Sequence, residues 1–168
     1  MNYGKIRKYD TANGPGIRAT LFVSGCIHNC KGCFNKELQD FNYGKLFDKE
    51  TKDSFISLSK NPLVAGVSIL GGEPMHHAKD PSFLGLLHSL KFNVKKPIWL
   101  WTGYTYEEIL KDEFKRKVLE FVDVLIDGRF DESKKNLMLK YRGSSNQRVI
   151  DVKKTIEANE IILLSGID

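Results

Sequence analysis

The sequence has few cysteines, no long apolar run and no dense basic block. Its 168 residues include three cysteines, an odd number that excludes a framework made only of disulfides. No apolar stretch approaches the roughly 20 residues that a membrane-spanning helix needs, so no membrane partner is expected. No block of lysine and arginine with interleaved aromatic residues indicates nucleic-acid binding. Residues 1–5 lack an apolar signal segment, so we expect a cytoplasmic protein.

What is present is the composition of an ordinary globular domain. Hydrophobic residues make up 41% of the chain and charged residues 28%, and the formal net charge is +5. Acidic and basic residues are mixed along the chain, which indicates a solvated, mildly basic surface that could dock an acidic protein partner. We expect a single domain over residues 1–168, in which residues 149–168 form an extension without an assigned role. The composition does not exclude a homodimer.

The three cysteines lie in one window of the chain, at Cys26, Cys30 and Cys33. Three thiolates at this spacing can hold three irons of a four-iron cluster and leave the fourth iron without a protein ligand. An iron with an open position can bind and reduce a small molecule, so the window indicates redox chemistry. Two alternatives remain, namely inert thiols and a zinc site in a non-enzymatic interaction module. Zinc would need a fourth ligand from among the histidines, which are His28, His76, His77 and His88.

Short apolar runs alternate with helical patterns along the chain. Four runs rich in β-branched or aromatic residues predict strands at 19–23, 64–70, 97–101 and 122–126. Weaker patterns at 3–8 and 161–164 predict outer strands. The nearly continuous apolar character of the four main runs favours strands that are covered on both faces, as in a parallel sheet.

Capping signals mark the helices between those strands. Asp48 precedes a helix that should reach about residue 60, and Asp80, followed by a proline, begins another. Thr105 and Glu108 form a capping box. An apolar stripe follows it and should pack on the sheet; it consists of Leu110, Phe114, Val118 and Phe121. The alternation predicts an α/β fold with a parallel sheet and right-handed crossovers.

Four polar segments each follow one of the main strands, at 26–33, 71–74, 102–104 and 127–129. Because the carboxyl ends of parallel strands meet at one edge, where α/β proteins place their active sites, we expect these segments to lie together. The two glycines of the second segment, Gly-Gly-Glu-Pro, let backbone groups come close to a ligand, and its carbonyls can accept hydrogen bonds from an amino group. By itself this run is equally typical of a tight turn.

The CxxxCxxC loop after the first main strand and the Gly-Gly-Glu motif after the second together resemble the radical S-adenosylmethionine (SAM) superfamily. This resemblance implies an α/β fold in which a parallel sheet forms an incomplete (βα) barrel, and one [4Fe-4S] cluster held by the three cysteines. It also implies that the amino and carboxylate groups of SAM chelate the fourth iron. By the same resemblance, SAM would be bordered by Gly32, Cys33, Phe34, Gly71, Gly72 and Glu73.

Three further segments narrow the resemblance to the activases of glycyl radical enzymes. The run from Asn13 to Arg18 is similar to their (D/N)GPG-x-R motif, and 99–104 is similar to their third-strand segment. The run from Arg142 to Arg148 resembles the RGSSNQ segment of one branch, the activating proteins of anaerobic ribonucleoside-triphosphate reductase. That branch implies reductive cleavage of SAM to a 5′-deoxyadenosyl radical, which abstracts hydrogen from a glycine of the large reductase subunit. It also implies an electron donor of low potential.

The same family has residues near SAM after its third and fourth strands, which adds Thr102, Asp127 and Arg129 to the expected cofactor contacts. Arg129 stands where related pyruvate formate-lyase activases have a lysine. Trp101 and Thr102 stand where those enzymes have an acidic residue that helps to hold a monovalent cation. The implied reaction needs no protein acid or base, so no catalytic residue is expected beyond the cluster cysteines. A pyruvate formate-lyase-type activase and a small-molecule radical SAM enzyme remain as alternatives.

Overall fold

The computed structural model describes residues 1–167 of the chain. These residues form one seven-stranded mixed sheet with five α-helices, and no helix among them is long and apolar enough to cross a bilayer. The strands are β1 (Asn2–Asp10), β2 (Arg18–Val23), β3 (Lys45–Leu46), β4 (Gly66–Gly71), β5 (Ile98–Trp101), β6 (Val124–Asp127) and β7 (Arg148–Asp151). The helices are α1 (Lys49–Ser59), α2 (Pro81–Ser89), α3 (Tyr106–Leu110), α4 (Glu113–Leu119) and α5 (Val152–Ala158).

The centre of the sheet is parallel, as the sequence predicts. Strands β2, β4, β5 and β6 lie side by side, and each of the four predicted main strands overlaps one of them. Their register aligns Leu21 with Ile69, Ile69 with Leu100, and Leu100 with Leu125. All four side chains are fully buried in the core, because the helical crossovers cover this face of the strands.

The predicted incomplete (βα) barrel is wrong. Both flanks of the sheet are antiparallel, since β1 pairs with β2 and β3 on one side and β7 pairs with β6 on the other. Residues 128–147 return from β6 without an α-helix, so β7 enters beside β6 in the opposite direction instead of completing another parallel unit. The result is an open mixed sheet in the order β3-β1-β2-β4-β5-β6-β7.

The two predicted outer strands have different outcomes. The pattern at 3–8 is confirmed by β1, whereas 161–164 forms no strand and makes a single bridge from Leu163 to Ile150. The sequence interpretation missed β7 and α5, which occupy part of the predicted extension. Val149 and Ile150 are buried in β7, so this part of the extension forms the edge strand of the sheet.

Three helices begin at the predicted caps. The carboxylate of Asp48 accepts from the amide of Thr51 at 2.8 Å, and that of Asp80 accepts from the amide of Ser82 at 2.8 Å. Thr105 forms the predicted capping box at the start of α3. These side chains satisfy amides that have no partner within the helix, which explains why the helices begin there.

The helix predicted to carry one apolar stripe after the capping box is interrupted. α3 ends and α4 begins because the Asp112 carboxylate accepts from the amides of Phe114 and Lys115 and so caps a new helix. Val118 is buried as predicted, but the side chain of Leu110 is 42% exposed. The stripe is therefore divided between two short helices.

The face of the central strands opposite the helices carries a second apolar surface. The alternation of side chains along a strand places Phe22, Leu70 and Trp101 there, next to residues that point into the core. The Trp101 indole donates to the carbonyl of Tyr141 at 2.7 Å, which ties residues 128–147 to this face. The segment after β6 and the loop after β2 thus become walls of a cavity above the sheet.

Candidate active site

A cavity of about 600 Å³ lies on this second face, near the carboxyl ends of the parallel strands. All three cysteines line it, together with the Gly-Gly-Glu motif and residues that follow β5. The predicted site residues in its wall are Cys26, Cys30, Cys33, Phe34, Gly71, Gly72, Glu73 and Thr102. Gly32, Asp127 and Arg129 are not part of the wall. The structure thus brings together the loops after β2, β4 and β5, and the predicted segment after β6 joins them through Gly128.

The cysteine loop is held by backbone hydrogen bonds and a tight turn. The amide of Cys26 donates to the carbonyl of Gln39 at 3.0 Å, which fixes the start of the loop. Gly32 has a φ of +72°, and a Cβ at this position would lie 2.8 Å from a carboxylate oxygen of Glu132. Gly32 therefore permits the turn between the second and third cysteines. Its contact with SAM stays a prediction.

The chemistry of this loop fits an iron–sulfur cluster. All three cysteines are free thiols. Burial raises the pKa of the Cys26 thiol to about 11, and the nearby Glu73 carboxylate adds to the effect. Burial likewise raises the pKa of Cys30. Both thiols are therefore protonated at neutral pH and must lose their protons when a metal binds.

Within residues 1–167, no three His, Cys, Asp or Glu side chains converge as ligands of one ion. A four-iron cluster has no such requirement, because each thiolate binds a different iron. The donor set is three soft sulfur atoms in the wall of one cavity, and soft thiolates are the ligands that iron–sulfur clusters take. The residues present therefore fit a cluster with one iron left open.

Glu73 is fully buried in the cavity wall and links the loops around it. One of its oxygens accepts from the amide of Met75 at 2.9 Å and from the hydroxyl of Thr102 at 2.7 Å. The other accepts from the amide of Gly103 and the imidazole of His28, both at 2.7 Å. A carboxylate has about four acceptor positions, so these four donors occupy all of them. Any contact of the motif with the amino group of SAM would therefore come from its backbone.

Known proteins match this chain over most of its length. Residues 12–150 match the family model of a 4Fe-4S single cluster domain, and this range contains all three cysteines. The anaerobic ribonucleoside-triphosphate reductase-activating protein of Vibrio cholerae is 41% identical over 150 residues, which cover 88% of this chain and 96% of the relative. The proteins of the same name from Escherichia coli K12 and Enterobacteria phage T4 are 40% and 39% identical over 152 residues. These matches cover 89% of this chain and 97% and 93% of the two relatives.

The chain belongs to the family of anaerobic ribonucleoside-triphosphate reductase-activating proteins. This membership confirms the resemblance indicated by the CxxxCxxC, GPG-x-R and RGSSNQ segments. It also confirms the iron–sulfur cluster as the cofactor of the matched range. The contacts of individual residues with that cluster and with SAM stay predictions.

The two glycines of the Gly-Gly-Glu motif are required by close packing. Gly71 has a φ of +112°, and a Cβ on it would lie 2.6 Å from the carbonyl oxygen of Val23. A Cβ on Gly72 would lie 2.6 Å from the carbonyl oxygen of Gly25. The side-chain amide of Asn35 also donates to the Gly71 carbonyl at 3.3 Å. The motif is thus pressed against the start of the cysteine loop.

Asp127 and Arg129 have partners outside the cavity wall. The buried carboxylate of Asp127 accepts from the amide of Tyr106 at 2.7 Å and from Nε of Arg148 at 3.0 Å. Arg129 forms an ion pair with Glu108 at 3.3 Å. The predicted contacts of Asp127 and Arg129 with SAM therefore have no geometric support in this structure and stay predictions.

The sequence interpretation gave several wall residues no role in the site. Phe22, Leu70 and Trp101 line the cavity from the sheet, and their alternation with core residues is the signal that could have identified them. The sequence interpretation considers His28 as a possible zinc ligand and does not count it as catalytic, and the structure places its imidazole in the wall, where it bonds to Glu73. The signal that could have identified His28 as a site residue is its position between Cys26 and Cys30.

Proposed function

We propose that this chain activates anaerobic ribonucleoside-triphosphate reductase by reductive cleavage of SAM. The observation that supports the proposal is the shared cavity, in which Cys26, Cys30 and Cys33 lie beside the Gly-Gly-Glu motif. The cysteines would hold a [4Fe-4S] cluster, and SAM would lie between the cluster and the motif. When bound, these cofactors supply the electron transfer that splits SAM into methionine and a 5′-deoxyadenosyl radical, which takes a hydrogen atom from a glycine of the reductase.

The residues of this chain bind and orient in the proposed reaction, and they transfer no proton. The carbonyls of Gly71 and Gly72 are the acceptors we assign to the ammonium group of SAM, because the Glu73 carboxylate is already used. Phe34 is in the cavity wall, where its ring centroid lies 4.9 Å from that of Phe130. We assign this aromatic pair to the adenine.

The floor of the cavity suits a reactive intermediate. Phe22, Leu70 and Trp101 present apolar side chains there, and apolar walls exclude the water that would quench a radical. A volume of about 600 Å³ lies within the range of small-molecule sites and is sufficient for a nucleoside-sized ligand. The proposal also requires a low-potential electron donor and a protein glycine that enters the cavity.

Anaerobic reconstitution with iron and sulfide tests the proposal, with dithionite as the electron donor. We expect a brown protein, an electron paramagnetic resonance (EPR) signal of a reduced four-iron cluster, and 5′-deoxyadenosine after SAM is added. We also expect a glycyl radical signal when anaerobic ribonucleoside-triphosphate reductase is present. A colourless protein that holds one zinc would support the interaction module instead. A glycyl radical formed only on pyruvate formate-lyase would support the other activase class.

A further inference from the structure

His28 lies in the cysteine loop between Cys26 and Cys30. Its side chain is 6% exposed, and its Nε2 atom lies 2.7 Å from Oε2 of Glu73, whose side chain is 1% exposed. A buried carboxylate requires hydrogen-bond donors, so Nε2 carries the proton in this pair. The middle of the cysteine loop is thus bonded to the motif after β4.

The same carboxylate extends this connection to a third loop. Thr102 and Gly103, which follow β5, each donate to Glu73 at 2.7 Å. Met75 donates from the segment that follows the motif itself. Removing one of these donors would leave an unpaired acceptor on a buried carboxylate, which is more costly than the loss of an exposed hydrogen bond.

The ring of His28 also fits closely against the loop after β5. Its centroid lies 4.7 Å from that of Tyr104 in an edge-to-face arrangement. A Cβ on Gly103 would lie 2.5 Å from Cδ2 of His28, so the ring occupies space that only a glycine leaves open. Shape and hydrogen bonding therefore fix the same point of the cysteine loop.

We propose that His28 and Glu73 form a positioning pair that sets the cysteine loop in place relative to the SAM-binding motif. His28 acts through the backbone that carries Cys26 and Cys30, and it does not touch the reacting atoms. Glu73 acquires a role that needs no contact between its carboxylate and SAM. This inference rests on the proposed function, because the loop is the one assigned to the cluster.

Two variants of His28 and a matched control test the pair. His28→Phe keeps a flat ring without a donor, and His28→Gln keeps an N–H donor on a side chain of similar length. His76→Phe is the control, because His76 lies in the same ring cluster but bonds to Tyr104 at 3.0 Å. Hydrogen exchange of the apoprotein over residues 26–33 and iron retention against a chelator are the two main measurements.

We expect His28→Phe to speed exchange in the loop and to weaken iron retention by about 10- to 100-fold, the usual effect of removing a group that supports a metal ligand. The change that SAM causes in the EPR signal of the cluster should weaken in parallel. His28→Gln should recover most of each effect, and His76→Phe should stay close to the wild type. If His28→Phe does not fold, Thr102→Val is measured in its place, because it removes a different donor from the same carboxylate.

Normal exchange and iron retention in His28→Phe would overturn the positioning role. Equal losses in the Phe and Gln variants would overturn it as well, because the Gln variant keeps the donor to Glu73 that the Phe variant lacks. A wild-type protein that takes up no cluster would refute the proposed function instead. The exchange data on the apoprotein would still report on the pair in that case.

A different feature, at the mouth of the cavity, supports a second inference. Residues 135–144 form a hairpin, which is closed by a bridge between its first and last residues. Its tip carries Leu137 at 80% exposure and Met138 at 89%, the highest values for large hydrophobic side chains among residues 1–167. Leu137 also lines the cavity, so the exposed tip is continuous with the site.

The charge beside this tip is positive. Lys135 and Lys140 lie on the two sides of the tip, and residues 135–144 contain no acidic residue. An apolar tip with cations on both sides is complementary to an apolar surface that carries acidic side chains. Because a glycine of the reductase must enter the cavity, the protein segment around that glycine must pass the hairpin. We infer that the hairpin tip docks this segment of the reductase, an inference that also rests on the proposed function.

The docking inference is tested with Met138→Asp, which adds a negative charge to the tip outside the cavity wall. Leu63→Asp is the matched control, because Leu63 is 65% exposed and lies before β4, at the amino ends of the parallel strands and away from the cavity. We expect Met138→Asp to weaken binding of the reductase by about tenfold or more and to lower the glycyl radical yield. 5′-Deoxyadenosine formation without the reductase should not change in either variant.

Unchanged reductase binding in Met138→Asp would overturn the docking surface. An equal loss of binding in Leu63→Asp would overturn it too, since the effect would then come from charge anywhere on the protein. If the wild type itself forms no glycyl radical on the reductase, the proposed function fails. The two failures are therefore distinguishable.

Discussion

Two buried carboxylates lie at the ends of central strands, and the chain satisfies them in different ways. Glu73, after β4, accepts from an imidazole, a hydroxyl and two amides, and it lies in the cavity wall. Asp127, at the end of β6, is paired with the guanidinium of Arg148 and lies outside the wall. Near the cysteines, a network of directional hydrogen bonds fixes the loops. Away from them, an ion pair fixes the edge of the sheet.

The ion pair at the edge has a third member. Arg148 also donates to Glu107 at 2.7 Å, and the two carboxylates raise the pKa of its guanidinium. Because Arg148 begins β7 and Glu107 lies in α3, the triad connects the antiparallel edge strand to a helix. We therefore expect changes at Asp127 to affect folding and changes around Glu73 to affect the cofactor site.

The largest expected effect comes from Cys30→Ala, on the cavity side of this comparison. We expect loss of the brown chromophore and of 5′-deoxyadenosine formation, because two cysteines cannot hold the cluster. The thermal unfolding midpoint of the apoprotein should stay near that of the wild type, since Cys30 is only partly buried. Absorption spectra, product chromatography and calorimetry give the three values. Retained SAM cleavage would refute the ligand assignment.

At the Asp127 ion pair, Arg148→Ala should lower the free energy of unfolding by about 3 kcal/mol. This value is the low end for breaking a buried ion pair, because Arg148 is partly exposed while Asp127 is left fully buried. Urea denaturation of the apoprotein measures it. Lys49→Ala, which removes an exposed ion pair with Asp53, is the control and should cost much less stability than Arg148→Ala. Equal small losses in both variants would contradict the role given to Asp127.

Thr102→Val sharpens the comparison with a smaller change. It removes one donor from Glu73 and keeps the shape of the side chain, so the free energy of unfolding should fall by about 1–3 kcal/mol. Hydrogen exchange in the cysteine loop should rise with it, since the same carboxylate holds His28. If exchange rises only in α3 and β7, the separation of the two carboxylate sites is incorrect.

The smallest effect concerns pH. The hydrogen bond from Arg148 lowers the pKa of Glu107 to about 2, below its ordinary value of 4.5. A carboxyl whose pKa is lower in the folded state stabilises the fold at neutral pH, and this contribution is lost as the pH falls from about 4.5 through about 2. Glu107→Gln should flatten that part of the stability curve slightly, because Glu107 is largely exposed. Denaturation midpoints of the apoprotein at about pH 5 and about pH 3 provide the check.

The sequence predicts the centre of the fold because local patterns determine it. Apolar runs and capping residues give the four parallel strands and the helix starts, and the parallel order then brings the loops after them to one edge. The direction of β7 has no such local signal. It depends on the absence of a crossover helix in residues 128–147, and the turn-rich sequence there does not show which way the chain returns.

The candidate site likewise contains features that the sequence predicts and features that it does not. The cysteines and the Gly-Gly-Glu motif could be predicted because each lies in a contiguous segment with a specific spacing. The surroundings of Asp127 could not, because its partner Arg148 comes from a strand that the sequence interpretation missed. The contact of His28 with Glu73 joins two loops, and no local pattern in either loop predicts it.

The dependence of the cysteine loop on later segments has a consequence for biosynthesis. Cys26, Cys30 and Cys33 leave the ribosome before Thr102 and Gly103, which follow only after α1, β4, α2 and β5 have been made. During that interval the nascent polypeptide presents three thiols without the hydrogen bonds that later anchor their loop, and accessible thiols are those most readily oxidised. We therefore expect reducing conditions during translation to protect the three thiols before any metal is delivered.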